Sequence, residues 1–208
     1  MTARRSKSGP RTPDHDAQRG GVALLIVDLM NPFDFRGGDT LLRNARATIE
    51  PMLSLRAAMD EAGAPTVYVN DNFGEWHSEK SRLVDRAREK APELIASAEP
   101  RECDYFVIKP QLSGFYATNL SLLLPKLGVS RLVISGLATD ICVLFTAADA
   151  HMRDYAIWVP RDAVAAESTA RGDQALELMA KHLGAEVSAT SDLNLAAWLK
   201  RLDERGIR

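Results

Sequence analysis

Three side chains in this sequence are of the types that acyl transfer needs: the carboxylate of Asp28, the ammonium of Lys109 and the thiol of Cys142. Asp28 follows the apolar run "ALLIV", Lys109 follows "YFVI", and Cys142 lies just past the turn "GLAT" that leaves "LVIS". Asn70 and Asp71 follow a fourth such run, "TVYV". A carboxylate within reach of a thiol takes its proton, the thiolate attacks a carbonyl carbon, and the proton passes on to the leaving amine. A lysine beside both keeps the carboxylate ionised or oriented, and it stabilises negative charge developing on the substrate. The turn "GLAT" offers backbone N–H donors to a tetrahedral oxyanion. None of the three is diagnostic alone. A lone cysteine is most often a small buried hydrophobe, a lone aspartate a turn or cap residue, and a lone lysine a surface charge.

The elements that must bring them together alternate along the chain. "VALLIVDL", "PTVYVND", "YFVIKP", "RLVISG", "AIWVPRD" and "AEVSAT" are short runs, most of them too continuously apolar for strands with one wet face, and they read as buried parallel strands. Between them lie helical stretches: Leu41 to Ala62 closed by Gly63, a charged segment around Ser81 to Lys90, Thr118 to Leu127 closed by Gly128, Asp140 to Asp154, and Ala170 to His182 closed by Gly184. Parallel strands need crossover connections, so the pattern predicts an α/β fold: a three-layer, doubly wound sheet of about six parallel strands flanked by helices. Ligands of such sheets bind beyond the carboxyl ends of the strands. Asp28, Asn70, Asp71, Lys109 and Cys142 therefore gather at one edge. Cys142 falls in the first turn of "DICVLFTAADAHMRDY", with Thr139 or Asp140 near the N-cap, where the helix dipole favours a thiolate. Cys103 precedes its strand and belongs at the opposite edge. His77 reads as a loop residue, and "SEKSRLVDRAREK" as a solvated helix face.

Composition bounds the remainder. The chain has 208 residues, 46% hydrophobic and 26% charged, which suits one domain with a substantial core. We expect a disordered tail over residues 1–20, rich in Arg, Ser, Pro, Gly and Asp, followed by a single domain over residues 21–208. A net charge of -2 argues against a nucleic-acid partner. No apolar run reaches the roughly 20 residues of a membrane helix. Arg4 and Arg5 are followed by polar residues rather than the apolar segment of an export signal. With two distant cysteines and no paired spacing, neither a disulfide framework nor a thiolate metal site is indicated, and the expected location is cytoplasmic.

"LLIVDLMNPF", "VIKPQLSGFYATNL" and "LVISGLATDICVLFTAADAHMRDY" resemble the three signature regions of the isochorismatase-like hydrolases, the cysteine hydrolase superfamily that includes nicotinamidases and N-carbamoylsarcosine amidase. The resemblance runs from about Val22 to about Thr190. It implies a Rossmann-like sheet in the order 3-2-1-4-5-6, a homodimer or homotetramer, Asp28 as general base, Lys109 as catalytic lysine and Cys142 as nucleophile. It also implies a cis peptide bond between Leu137 and Ala138, with the N–H groups of Ala138 and Cys142 forming the oxyanion hole. Nicotinamidases carry an Asp-x-His arrangement after the second strand to hold a metal. Here the matching stretch is "NDNFGEWH", with Phe73 in place of the first histidine, so we expect no metal and no other cofactor. The implied function is hydrolysis of a small amide, carbamoyl or ureide C–N bond through a thioester on Cys142. Phe33, Trp76 and Phe115 lie near the strand ends in sequence and are candidates for walls of the substrate pocket, or equally for core or dimer contacts. Three other functions stay in view: vinyl ether hydrolysis of the isochorismatase type, a catalytically idle scaffold of the same fold, and a phospho-receiver module, which also places an aspartate at a strand end and "KP" after a strand.

Overall fold

Runs of Val, Ile and Leu make strands buried on both faces, and in the computed structural model, which describes residues 9–77 and 79–207, they form one parallel sheet. Its strands are β1 (Gly21–Val27), β2 (Thr66–Asp71), β3 (Tyr105–Lys109), β4 (Val129–Leu137), β5 (Ala156–Trp158) and β6 (Val164–Ala165). The order is β3-β2-β1-β4-β5, with β6 paired to the end of β4, and all pairings are parallel. The strand period of two splits β1 between two cores. Val22, Leu24 and Ile26 enter one apolar cluster, and Ala23, Leu25 and Val27 the other.

Helices α1 (Gly38–Ala45), α2 (Ile49–Glu61), α3 (Lys80–Lys90), α4 (Pro92–Ala98) and α8 (Leu195–Glu204) contribute to the first cluster. The second takes residues from α5 (Leu120–Lys126), α6 (Leu144–His151) and α7 (Thr169–Leu183). The expected three layers are thus present. None of the helices in the described residues is long and apolar enough to cross a membrane.

Several boundaries differ from the sequence expectation. The helix expected from Leu41 to Ala62 is interrupted by a 3₁₀ turn at Arg46–Thr48. Pro51 has no N–H to offer the preceding turn, and the Thr48 hydroxyl donates to the Ala45 carbonyl at 2.8 Å. "AEVSAT" contributes only one parallel bridge, Trp158 with Glu186, and the sixth strand is instead Val164–Ala165. The Glu186 carboxylate accepts the N–H groups of Val187 and Ser188, removing the donors that a ladder would use. Two short helices, α4 and α8, went unread, although Pro92 opens one and Asn194 caps the other by accepting the Ala197 N–H at 2.9 Å. Of the expected tail, residues 1–8 lie outside the described residues. Residues 9–20 hold no helix or strand, yet they lie against the body: Tyr105 donates to the Arg11 carbonyl, Lys126 to the Asp14 carbonyl, and the Ala17 N–H to Pro125.

Where β4 passes the end of β1, Gly136 has φ 112°, and a Cβ there would sit 2.0 Å from the Val27 carbonyl oxygen. Neither backbone can give way without breaking the central pairing. Gly136→Ala is therefore expected to cost about 3 kcal/mol or more, read as a lowered midpoint in urea unfolding.

Candidate functional site

Each strand end delivers one functional group. Asp28, one residue past β1, adopts φ 48°, a left-handed conformation that aspartate tolerates better than most residues. Its N–H still donates to the Val69 carbonyl at 2.9 Å, and its Oδ1 accepts the Asp71 N–H at 2.6 Å. Lys109 ends β3, with its carbonyl accepting the Asn72 N–H at 3.1 Å. Cys142 lies on a π-helical turn, Thr139–Val143, ahead of α6. The Ala138 carbonyl anchors that turn by accepting the N–H groups of Ile141 and Val143 at 3.1 and 3.2 Å. The expected position of Cys142 in an α-helical first turn is thus corrected to a wider turn. The peptide bonds of the described residues are all trans, so the cis bond expected between Leu137 and Ala138 is absent.

The Lys109 ammonium joins these ends. Its Nζ is 2.9 Å from Asp28 Oδ2, 3.1 Å from Asp71 Oδ2 and 3.4 Å from Cys142 Sγ. An ammonium has three N–H donors, and three acceptors take them. Direct donation to a substrate oxyanion would require one of these bonds to open, so the position of Lys109 suits it to hold the carboxylate and the thiol together.

Burial sets the electrostatics. Lys109 is 0% exposed, and Asp28 is buried beside it. Desolvation dominates at Asp28 and raises its pKa above the ordinary carboxylate value, against the lowering pull of Lys109 and Cys142. At Cys142, burial and then the Asp28 carboxylate push the thiol well above its ordinary value, and Lys109 offsets them only in part. Burial alone would depress Lys109, but Asp28, Cys142 and Asp71 more than compensate and keep it an ammonium. Burial and the Asp28 carboxylate therefore act against the thiolate expected from the helix dipole. Moving its proton to Asp28 leaves the net charge of the cluster unchanged, so the step avoids adding charge to a buried site.

The supporting residues were less legible. The Asn70 side chain clamps the loop after β1 like a strand partner: Oδ1 accepts the Met30 N–H and Nδ2 donates to the Met30 carbonyl, both at 3.0 Å. From α3, Arg86 donates to the Phe73 carbonyl at 3.3 Å and pairs with Asp34 at 2.6 Å, tying the loops after β1 and β2. The charged segment read as a solvated face is thus partly engaged. A buried Asn inside "VYVND" was the available signal for the clamp; the partner of Arg86 had none.

The aromatic candidates do not form one wall. Phe33 is buried in the first apolar cluster, and Phe115 in the second, across the sheet. The Phe115 ring rests against Tyr155, 5.9 Å between centroids, with the Arg153 guanidinium 4.8 Å from its centre. Trp76 is 77% exposed. His77 is exposed in the loop after β2, and the Asp71 oxygens bind Lys109 Nζ and the Phe73 N–H. Among the described residues, no three His, Cys, Asp or Glu side chains group to hold a metal ion. The phospho-receiver reading fails on topology, because three strands follow the lysine-bearing β3.

These elements define an α/β protein: a three-layer parallel sheet with a carboxylate, an ammonium and a thiol at one edge. The model of the isochorismatase domain matches residues 22–192, and the chain belongs to the isochorismatase-like hydrolase family. It is 38% identical over 172 residues to the uncharacterized isochorismatase family protein YaaI of Bacillus subtilis, covering 82% of this chain and 95% of that one. It is 29% identical over 161 residues to the ureidoacrylate amidohydrolase RutB of Variovorax paradoxus, 64% of each chain. The crystal structure of N-carbamoylsarcosine amidase from Thermoplasma acidophilum superimposes with a TM-score of 0.64 at 31% identity, covering 84% of this chain and 99% of that one.

The raised thiol pKa has a consequence for stability. The folded chain keeps Cys142 protonated where the unfolded chain ionises, so unfolding releases a proton and is favoured as pH rises through the ordinary thiol range. From about pH 8 to about pH 10, urea unfolding should show wild type losing about 2 kcal/mol relative to Cys142→Ser.

Proposed function

We propose that this chain is a cysteine hydrolase that cleaves a small amide, carbamoyl or ureide C–N bond through a thioester on Cys142. The observation that carries this is the single ammonium of Lys109 in contact with both Asp28 and Cys142. Asp28 accepts the thiol proton as sulfur attacks the carbonyl carbon, and backbone N–H groups of the turn that carries Cys142 receive the tetrahedral oxyanion. Collapse expels the amine or ammonia with the proton from Asp28. Asp28, again a carboxylate, activates water, and hydrolysis of the thioester returns the proton to sulfur. The names of the relatives, two of them acting on C–N bonds next to a carbonyl, support the bond type. The vinyl ether and idle-scaffold alternatives leave unexplained why a thiol is held on the ammonium of the base.

The free thiols of Cys103 and Cys142 suit a reducing, cytoplasmic location. Leu112, Tyr116 and Phe145 line one shallow apolar depression and suit contact between copies in a homodimer or homotetramer. Sedimentation should then show Phe145→Glu shifted toward monomer.

The activity test is a set of neutral primary amides and ureides with intact-protein mass spectrometry. Wild type should accumulate a covalent acyl adduct on Cys142 with at least one of them. Cys142→Ala should lose turnover, and Asp28→Asn should lose about 10²- to 10⁴-fold in kcat/KM. Turnover surviving in Cys142→Ala would replace the thioester route with base chemistry at Asp28.

A further inference from the structure

Of the three charged side chains that meet at the strand ends, only one is open to an incoming molecule. The Lys109 side chain is 0% exposed and that of Asp28 5%, whereas that of Asp71 is 26% exposed. Asp71 is held on both sides: Oδ2 by Lys109 Nζ at 3.1 Å and Oδ1 by the Phe73 N–H at 2.8 Å. Its own N–H in turn fixes Asp28 Oδ1. A carboxylate accepts about four hydrogen bonds, so two places remain for donors that arrive from outside.

The charge around it has the same sign. Two carboxylates share one ammonium whose donors are all engaged, so the charged side chains at the floor of the site sum to a net negative charge. Three arginines that reach the neighbouring loops are already matched. From α3, Arg86 pairs with Asp34 and Arg82 with Glu75 at 3.0 Å. From α7, Arg171 lies 3.2 Å from Asp140 and 3.8 Å from Glu167, one guanidinium between two carboxylates. Asp71 is bound to the same ammonium as Cys142, so an anionic group brought next to the thiol comes close to a partly exposed carboxylate.

We propose that Asp71 is a specificity-determining residue that admits neutral or cationic N–H-bearing groups beside the scissile carbonyl and rejects carboxylates there. Resting on the cysteine hydrolase reading, this narrows the substrate to a neutral or cationic amide or ureide whose N–H groups donate to Asp71. Asp71 has a second, positioning effect through Lys109 and Asp28. The two are separable, because positioning acts on every reagent alike and charge selection does not.

Iodoacetamide and iodoacetate make that separation, since they place the same leaving group on a neutral and an anionic reagent. Their alkylation rates at Cys142 would be read by peptide mass spectrometry and divided by the rates for N-acetylcysteine. In wild type the normalised ratio of iodoacetamide to iodoacetate at Cys142 should be about tenfold or more. Asp71→Asn keeps an acceptor for the Phe73 N–H and leaves the main-chain bond to Asp28; it should bring the ratio close to one, whatever it does to the absolute rates. A wild-type ratio near one, or an unchanged ratio in Asp71→Asn, overturns the proposal while leaving the nucleophile intact. Should Asp71→Asn fail to fold, the wild-type ratio alone decides. If neither reagent modifies Cys142 in the folded protein, the cysteine hydrolase reading falls, and the selectivity proposal with it.

Discussion

A buried ammonium is tolerated only when every donor has an acceptor, and Lys109 meets that requirement from three other points of the chain. Asp28 comes from the end of β1, Asp71 from the end of β2 and Cys142 from the turn after β4. Removing any one of them leaves a buried donor unpaired. The three loops are therefore mutually dependent, and the positive φ of Asp28 persists because its N–H and its carboxylate are both fixed by β2. What positions the chemistry is also what closes this edge of the sheet.

The same charge balance explains why burial does not disable the thiol. A thiol carried to a low-dielectric site without a base would be inert, because its pKa rises and nothing takes the proton. Here desolvation raises the Asp28 carboxylate as well as the Cys142 thiol, and the Lys109 ammonium touches both, so it faces whichever of the two is ionised. In the proposed reaction the thiol is activated by proton exchange inside this pair rather than by a standing negative charge. The π-helical turn contributes by geometry: Ala138 accepts two N–H groups, and Cys142 is presented ahead of the regular helix.

Around this centre the two apolar layers act as rigid backing. β1 gives alternate side chains to both, and Gly136 allows β4 to lie close enough to β1 for the turn carrying Cys142 to meet Asp28. The loops themselves are fixed by polar contacts: Asn70 to Met30, and Arg86 to Phe73 and Asp34. A core of this kind sets the positions of strand ends, and hydrogen bonds set the last ångström.

The strand–helix alternation, the sheet edge and the trio Asp28, Lys109 and Cys142 were determined by the sequence alone. Continuous apolar runs force two-sided burial, and polar residues directly after such runs can only stand at the carboxyl ends. The family resemblance added the role of each and agreed with the fold. Other features depend on pairings between distant segments, which no local pattern encodes. Asp71 became a partner of Lys109, Phe115 turned into core, and "AEVSAT" shrank to a single bridge because the Glu186 carboxylate binds the Val187 and Ser188 N–H groups. The protonation state of Cys142 was the furthest from reach. A helix dipole is a local property and favours a thiolate, but burial and the Asp28 carboxylate are tertiary properties, and they push the thiol the other way.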